Sequence, residues 1–166
     1  MAVKVVVPFT RLRDEARAAL DEWAPGWEGR DVSADDEAYW RLLADLWAEG
    51  ESFVLVEHDV VIVEGIVDAL AACPFDWCCA AYPYGRGTIV GLGCTKFTAP
   101  LLARVPDAVE RAGLVEDRTH PPRHWCRLDA SLNRVLCDAG EPRCYKHPDV
   151  GHMGGGGSAH GCRVFT

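Results

Sequence analysis

No apolar run in this 166-residue chain approaches the roughly 20 consecutive residues that a membrane-spanning helix needs, and uncharged stretches such as 69–75 and 77–85 are far shorter. Basic residues are scarce as well. The 17 Lys and Arg stand against 25 Asp and Glu, giving a formal charge of −8 and a pI near 5.2, which excludes a broad phosphate-binding surface and non-specific nucleic-acid binding. There is no internal repeat and no Cys-x-x-Cys knuckle. The first residues lack both the apolar length and the small-residue cleavage site of a signal peptide, so 3–7 is expected to be mature structure. The eight cysteines, at 73, 78, 79, 94, 126, 137, 144 and 162, are then expected to be reduced thiols of a cytoplasmic protein. Cys78 and Cys79, adjacent in an apolar run, read as small core residues facing opposite sides of a strand.

What is present is an apolar content of 49%, enough for one core at a length of about one domain, and a regular alternation of patterns. Val3 to Val7 is a nearly continuous β-branched run, the signature of a strand buried on both faces of a parallel sheet, and Pro8 is expected to close it. Thr10 is placed to cap a helix whose Leu12, Ala16, Ala19, Leu20 and Trp23 share one face, with Ala24-Pro25-Gly26 ending it. After a polar loop, Ser33-x-x-Asp36 reads as a capping box for a second helix with Ala38, Leu42, Leu46 and Trp47 inward, stopped by Gly50. A strand over 52–56, a helical piece over 64–72, and strands over 77–82 and 88–92 follow. Leu128, Leu132, Val135, Leu136 and Ala139 restore helical spacing up to Gly140, and Cys144-Tyr145 reads as a short last strand. This alternation specifies an α/β domain over 1–153. The glycine-rich 154–166, which includes His160 and Arg163, is expected to be a flexible tail or flap.

Chemistry concentrates where the 52–56 strand runs into Glu57-His58-Asp59. Carboxyl ends of buried strands carry the sites of α/β sheets, and two carboxylates one residue apart converge on a hard cation such as Mg²⁺ or Mn²⁺ if the strand gives way to a turn. A solvated strand end is the plain alternative. The segment Phe53-Val54-Leu55-Val56-Glu57-His58-Asp59-Val60-Val61-Ile62 resembles the nucleotide-sugar glycosyltransferases of the GT-A fold, in which an apolar strand ends in an Asp-x-Asp or related acidic triplet. The triplet here begins with Glu where the family has Asp. The resemblance implies a single Rossmann-like α/β/α domain with a mostly parallel central sheet. Its nucleotide-binding half is abbreviated, because the distance in sequence from Val7 to Glu57 is short for the family.

Residue by residue, the resemblance implies that Asp59 is a direct metal ligand, that Glu57 is a donor contact or additional ligand, and that His58 fills the variable middle place. Val90-Gly91-Leu92-Gly93-Cys94 is similar to the glycine-bearing strand beside the donor sugar, where Gly91 and Gly93 let the backbone approach a ligand. Asp129, in His124-Trp125-Cys126-Arg127-Leu128-Asp129, matches the acidic catalytic base at a helix start. His152, in His147-Pro148-Asp149-Val150-Gly151-His152, matches a further metal ligand, with His147 the second choice. Pro8, Thr10 and Arg11, at the turn after the first strand, are expected at the nucleotide.

The implied activity is metal-dependent transfer of a sugar from a nucleoside-diphosphate sugar, a UDP- or GDP-sugar, to an acceptor hydroxyl with inversion, with Mn²⁺ or Mg²⁺ as cofactor. Read from the residues alone, Gly91 and Gly93 also fit a bulge, Asp129 a helix-dipole partner, and each single histidine an ordinary surface or core place. Tyr82, Tyr84 and Trp125 stack on base or sugar, or belong to the core. Two other functions are open on the same residues. One is a non-catalytic sugar-nucleotide or carbohydrate binder of this fold; the other is a zinc-stabilised binding module drawing ligands from Cys137, Cys144, His147 and His152.

Overall fold

A computed structural model describes residues 3–84, 87–115 and 120–153, with the side chain of Tyr84 excepted; the expected tail at 154–166 lies outside the described residues. The first half of the chain forms β1 (Lys4–Phe9), α1 (Asp14–Trp23), β2 (Glu28–Asp31), α2 (Ala38–Glu49), β3 (Phe53–Val56), β4 (Val60–Val61), α3 (Ile66–Ala72) and β5 (Trp77–Cys79). The second half forms β6 (Tyr82–Tyr84), β7 (Gly87–Ile89), β8 (Cys94–Phe97), α4 (Ala99–Arg104), α5 (Ala108–Gly113), α6 (Leu128–Asp138), β9 (Arg143–Cys144) and β10 (Gly151–His152). Six strands make the central sheet in the order β2-β1-β3-β8-β5-β9. Only β8 runs against the others. The sheet is therefore mostly parallel, as the valine-rich first strand predicts.

Alternation along the strands sorts their side chains into two cores. Val6, Phe53, Leu55, Trp77 and Phe97 face a layer built from α2, α4, α5 and α6, with Leu43, Leu101, Val109 and Leu132 among its buried residues. Val5, Val7, Val54, Val56 and Cys78 face the other way, onto Leu20 of α1 and Ile66 and Leu70 of α3. The result is a three-layer α/β/α domain. Trp47 pins one layer to the sheet, packing edge-on against Phe53 and Phe97 while its indole N–H donates to the carbonyl of Val105 at 2.9 Å.

Several local expectations are corrected. Pro8 does not close β1, which continues through Phe9 with Pro8 paired in register with Arg30; proline is tolerated in a strand where its missing N–H leaves no ladder bond unmade. Thr10 does not cap α1, whose preceding residue is Arg13 and makes no side-chain cap bond. Nor does Ser33 cap α2: Asp31 accepts from the Ser33 N–H, and Asp35 from the Glu37 N–H. Leu43, not Leu42, is the fully buried leucine of that turn. The polar loop before α2 contains β2, an edge strand with mostly exposed residues. The expected strand over 88–92 divides, because Tyr82–Tyr84 and Gly87–Ile89 form a hairpin outside the main sheet and 90–93 is a turn leading into β8.

Reduced thiols are found at Cys73, Cys78, Cys79, Cys94, Cys137 and Cys144, whereas Cys126 is disulfide-bonded, against the expectation of uniformly reduced cysteines. No helix among the described residues is long and apolar enough to cross a membrane.

Candidate active site

Strand order reverses between β1 and β3. From β1 the sheet continues to β2 on one side, and from β3 to β8, β5 and β9 on the other. Such a reversal opens a crevice at the carboxyl ends of the two strands, where ligands bind in open α/β sheets. The turn carrying exposed Thr10 and Arg11 and the segment Glu57-His58-Asp59 leave the sheet at this edge.

Beyond Val56 the strand gives way to a tight turn, closed by the Val60 N–H donating to the Glu57 carbonyl at 3.0 Å. The turn sends the chain into β4, and β4 pairs antiparallel with β10, His152 standing opposite Val60. The Met153 N–H donates to the Asp59 carbonyl at 2.8 Å. This short ladder brings the His152 Nε2 to 3.3 Å from the Asp59 Oδ2. The imidazole is stacked on Tyr82 with ring centroids 5.1 Å apart. Burial raises the Asp59 carboxyl, but the His152 hydrogen bond and charge, together with His58, outweigh it and hold the group below its ordinary range.

Glu57 lies deeper. Its Oε1 accepts from the Tyr39 hydroxyl at 2.9 Å, and its backbone N–H donates to the Gly93 carbonyl. Burial and the charges of Asp129 and Asp59 push its carboxyl up to about 8, against the opposing Tyr39 bond. Asp129, in the first turn of α6, accepts from the Leu92 N–H at 2.6 Å. Burial pushes it up to about 6, partly offset by the Leu92 bond and the charge of Arg143. Asp129 and Asp59 thus both raise the cost of ionising Glu57.

The two glycines of the 90–93 turn have their place through this cluster. A Cβ on Gly91 would collide with the Asp129 Oδ2 and the Tyr82 hydroxyl, and one on Gly93 would fall 2.6 Å from the Tyr82 ring. The missing side chains admit Asp129 and Tyr82, so the close approach is made by the protein's own groups, and the glycines sit in a turn instead of the expected strand.

An implied Mn²⁺ or Mg²⁺ fits Asp59 and His152. Ligand atoms about 2.1 Å from an octahedral ion are roughly 3.0 Å apart along an edge, close to the observed 3.3 Å, and the acidic surroundings call for a cation. Glu57 does not complete this pair: among the described residues, no third Asp, Glu, His or Cys donor atom lies within 4.8 Å of both. His147 is also apart from it, grouped with Cys73 and Cys78. Tyr84's side chain lies outside the described residues, and Trp125 is 47% exposed just ahead of α6. Sequence reasoning missed Tyr39, because a tyrosine at helical spacing beside Trp40 reads as an ordinary core residue; its tie to Glu57 appears only in three dimensions.

No protein-family model and no curated protein matches the sequence. Solved structures match in shape. A glycosyltransferase involved in the glycosylation of the major capsid of PBCV-1 is 10% identical with a TM-score of 0.53, over 94% of this chain and 95% of that one. The A197 protein from STIV is 13% identical with a TM-score of 0.51, over 89% and 81%. The fold is of the GT-A type. At these identities the likeness concerns the fold. Within this fold the 90–93 turn joins the Glu57-His58-Asp59 turn to the start of α6, its Gly93 carbonyl accepting from the Glu57 N–H and its Leu92 N–H donating to Asp129.

Proposed function

We propose that this protein is a metal-dependent glycosyltransferase that moves a sugar from a nucleoside-diphosphate sugar to an acceptor hydroxyl with inversion. The observation that carries the reading is the Asp59–His152 pair, assembled by the β4–β10 ladder at the strand-order reversal of a GT-A fold, with Asp129 held by the adjoining 90–93 turn. Similarity to a capsid glycosyltransferase fold supports it.

In this mechanism Asp59 and His152 would hold a divalent ion, which would supply Lewis-acid charge toward the departing diphosphate. Thr10 and Arg11 lie at the nucleotide side of the crevice, and exposed Trp125 offers a flat apolar face to a sugar ring. Asp129 accepts the proton of the acceptor hydroxyl. Its Oδ1 is fixed by the Leu92 N–H, so Oδ2 is the oxygen left for that proton, and its raised affinity for protons brings it nearer the operating pH of a general base. Glu57, held by Tyr39, shapes the floor of the site in its neutral form.

A thermal-shift series with UDP and GDP, each with Mn²⁺, Mg²⁺ or chelator, tests the binding half. The melting temperature rises only with metal and nucleotide together, since a ligand that binds the native state alone stabilises it, and Asp59→Asn or His152→Ala abolishes most of the rise. Equal shifts in excess chelator refute the metal. Asp129→Asn tests the transfer half: nucleotide binding stays intact and transfer falls by roughly a hundredfold or more, the usual contribution of a general base. Metal-dependent binding with no transfer to any hydroxyl acceptor in the wild type identifies a non-catalytic binder of the same fold instead.

A further inference from the structure

A second cluster of ligating side chains has no part in the crevice. Cys73 follows the last turn of α3, Cys78 is fully buried on β5, and His147 comes just after β9. One donor atom from each lies within 4.8 Å of the other two. Zinc held about 2.3 Å from sulfur and 2.0 to 2.1 Å from nitrogen sets tetrahedral ligand atoms roughly 3.5 to 3.8 Å apart. Cys73 and His147 are only partly buried, so side-chain rotation suffices for that contraction. The spacing Cys73-x-x-x-x-Cys78 lies within the range of zinc ligand pairs.

Two independent features point to an occupant. The His147 Nε2 is buried with no hydrogen-bond partner, and a buried polar atom ordinarily has one. Lys96 is 3% exposed on the central strand β8; its ammonium donates to the Cys73 carbonyl at 2.7 Å. Among the described residues no ion pair joins it to a carboxylate. Asp76, which feels its charge, is bound to Thr98 and Arg104. A buried cation calls for nearby negative charge. A fourth thiol stands beside this group, because Lys96, Cys78 and Cys144 are successive cross-strand partners over β8, β5 and β9, although the Cys144 sulfur is not within 4.8 Å of all three other donor atoms. Cys144, a free thiol, therefore stands beside Cys78 on the same face of the sheet.

We propose that Cys73, Cys78, Cys144 and His147 bind a structural Zn²⁺, separate from the metal of the crevice. Binding releases three thiol protons to solvent, and three thiolates, one neutral imidazole and one dication leave a single negative charge, which Lys96 balances. Thiolate donors select zinc over the hard Mg²⁺ or Mn²⁺ that carboxylates prefer. The ion ties α3 and β5 to the stretch after β9, which goes on to deliver His152.

Metal-free full-length protein with Cys73, Cys78 and Cys144 free and the Cys126 disulfide intact, titrated with Co²⁺, tests this directly. The expected spectrum has the intense thiolate-to-cobalt charge-transfer absorption and visible bands of a tetrahedral site, saturates at one ion per chain, and disappears when Zn²⁺ is added. Cys73→Ser and His147→Ala, both at partly exposed positions, weaken Co²⁺ binding by roughly tenfold or more, whereas Asp59→Asn leaves the spectrum unchanged. Circular dichroism checks that each variant is folded. Absence of the charge-transfer band in the wild type overturns the proposal whatever the variants do, and so does an unchanged band in folded Cys73→Ser and His147→Ala. Failure of nucleotide binding in the crevice leaves this cobalt readout untouched, so the two proposals stand or fall separately.

Discussion

Glu57 shows how a carboxyl group behaves when the chain buries it beside two others. In the folded protein it keeps its proton up to about 8, against an ordinary value of 4.5, because burial and the charges of Asp129 and Asp59 oppose ionisation. Between those two pH values the unfolded chain has released a proton that the folded chain retains. Stability therefore falls as pH rises through this window and levels off outside it. Glu57→Gln keeps an oxygen to accept from Tyr39 and removes the titration. Without divalent metal, its melting temperature should match the wild type near pH 4 and exceed it by several degrees at pH 8, at about 2 to 4 °C per kcal/mol. A difference that does not vary with pH would show that Glu57 ionises freely. In the sequence the apolar strand before them marks Glu57 and Asp59, whereas Asp129 and His152 enter as candidates only through the resemblance to the GT-A glycosyltransferases. The sequence does not reveal that Glu57 turns toward Tyr39, since that partner comes from α2 and nothing local marks it.

Short elements hold the site together. The 90–93 turn approaches both β6 and α6, and Gly91→Ala drives a methyl group into the Asp129 carboxylate and the Tyr82 hydroxyl. Expected is a loss of roughly 1 to 3 kcal/mol, as for other overpacked sites, with transfer lost as Asp129 is displaced. Gly87→Ala on β7, where an added Cβ meets nothing within 4 Å, should stay within about 0.5 kcal/mol; thermal melts of the two variants check the contrast. Elements of this scale leave the weakest mark in the sequence. β1 and β3 announce themselves as valine-rich runs. β8 does not, because its Thr95 and Lys96 are buried polar residues in the middle of a sheet, against the usual apolar pattern of a central strand. β2 is an exposed edge strand of Glu, Gly, Arg and Asp, and α4 and α5, at six residues each, are too short to display a helical period.

At the scale of the molecule, both cores share the same strands, so the layers cannot unfold independently. Leu43→Ala in one layer and Ile66→Ala in the other, both at fully buried positions, should each remove about 2 to 5 kcal/mol and move a single transition, seen alike by tryptophan fluorescence and far-UV circular dichroism. Two separated transitions would mean that the layers are energetically distinct. The α/β class is legible from the order of periodic segments, and the three layers from the resemblance, while strand order and the reversal between β1 and β3 depend on pairings that no local pattern encodes. The β4–β10 ladder joins a turn from the first half of the chain to one of its last described strands. During synthesis the crevice and Asp59 emerge from the ribosome well before His152 is made. A growing polypeptide can shape the sheet around β1 and β3 early, but it lacks the imidazole until β10 is translated and has docked. On the proposed function, the protein is thus silent while nascent, and completion of one two-residue strand is the event that arms it.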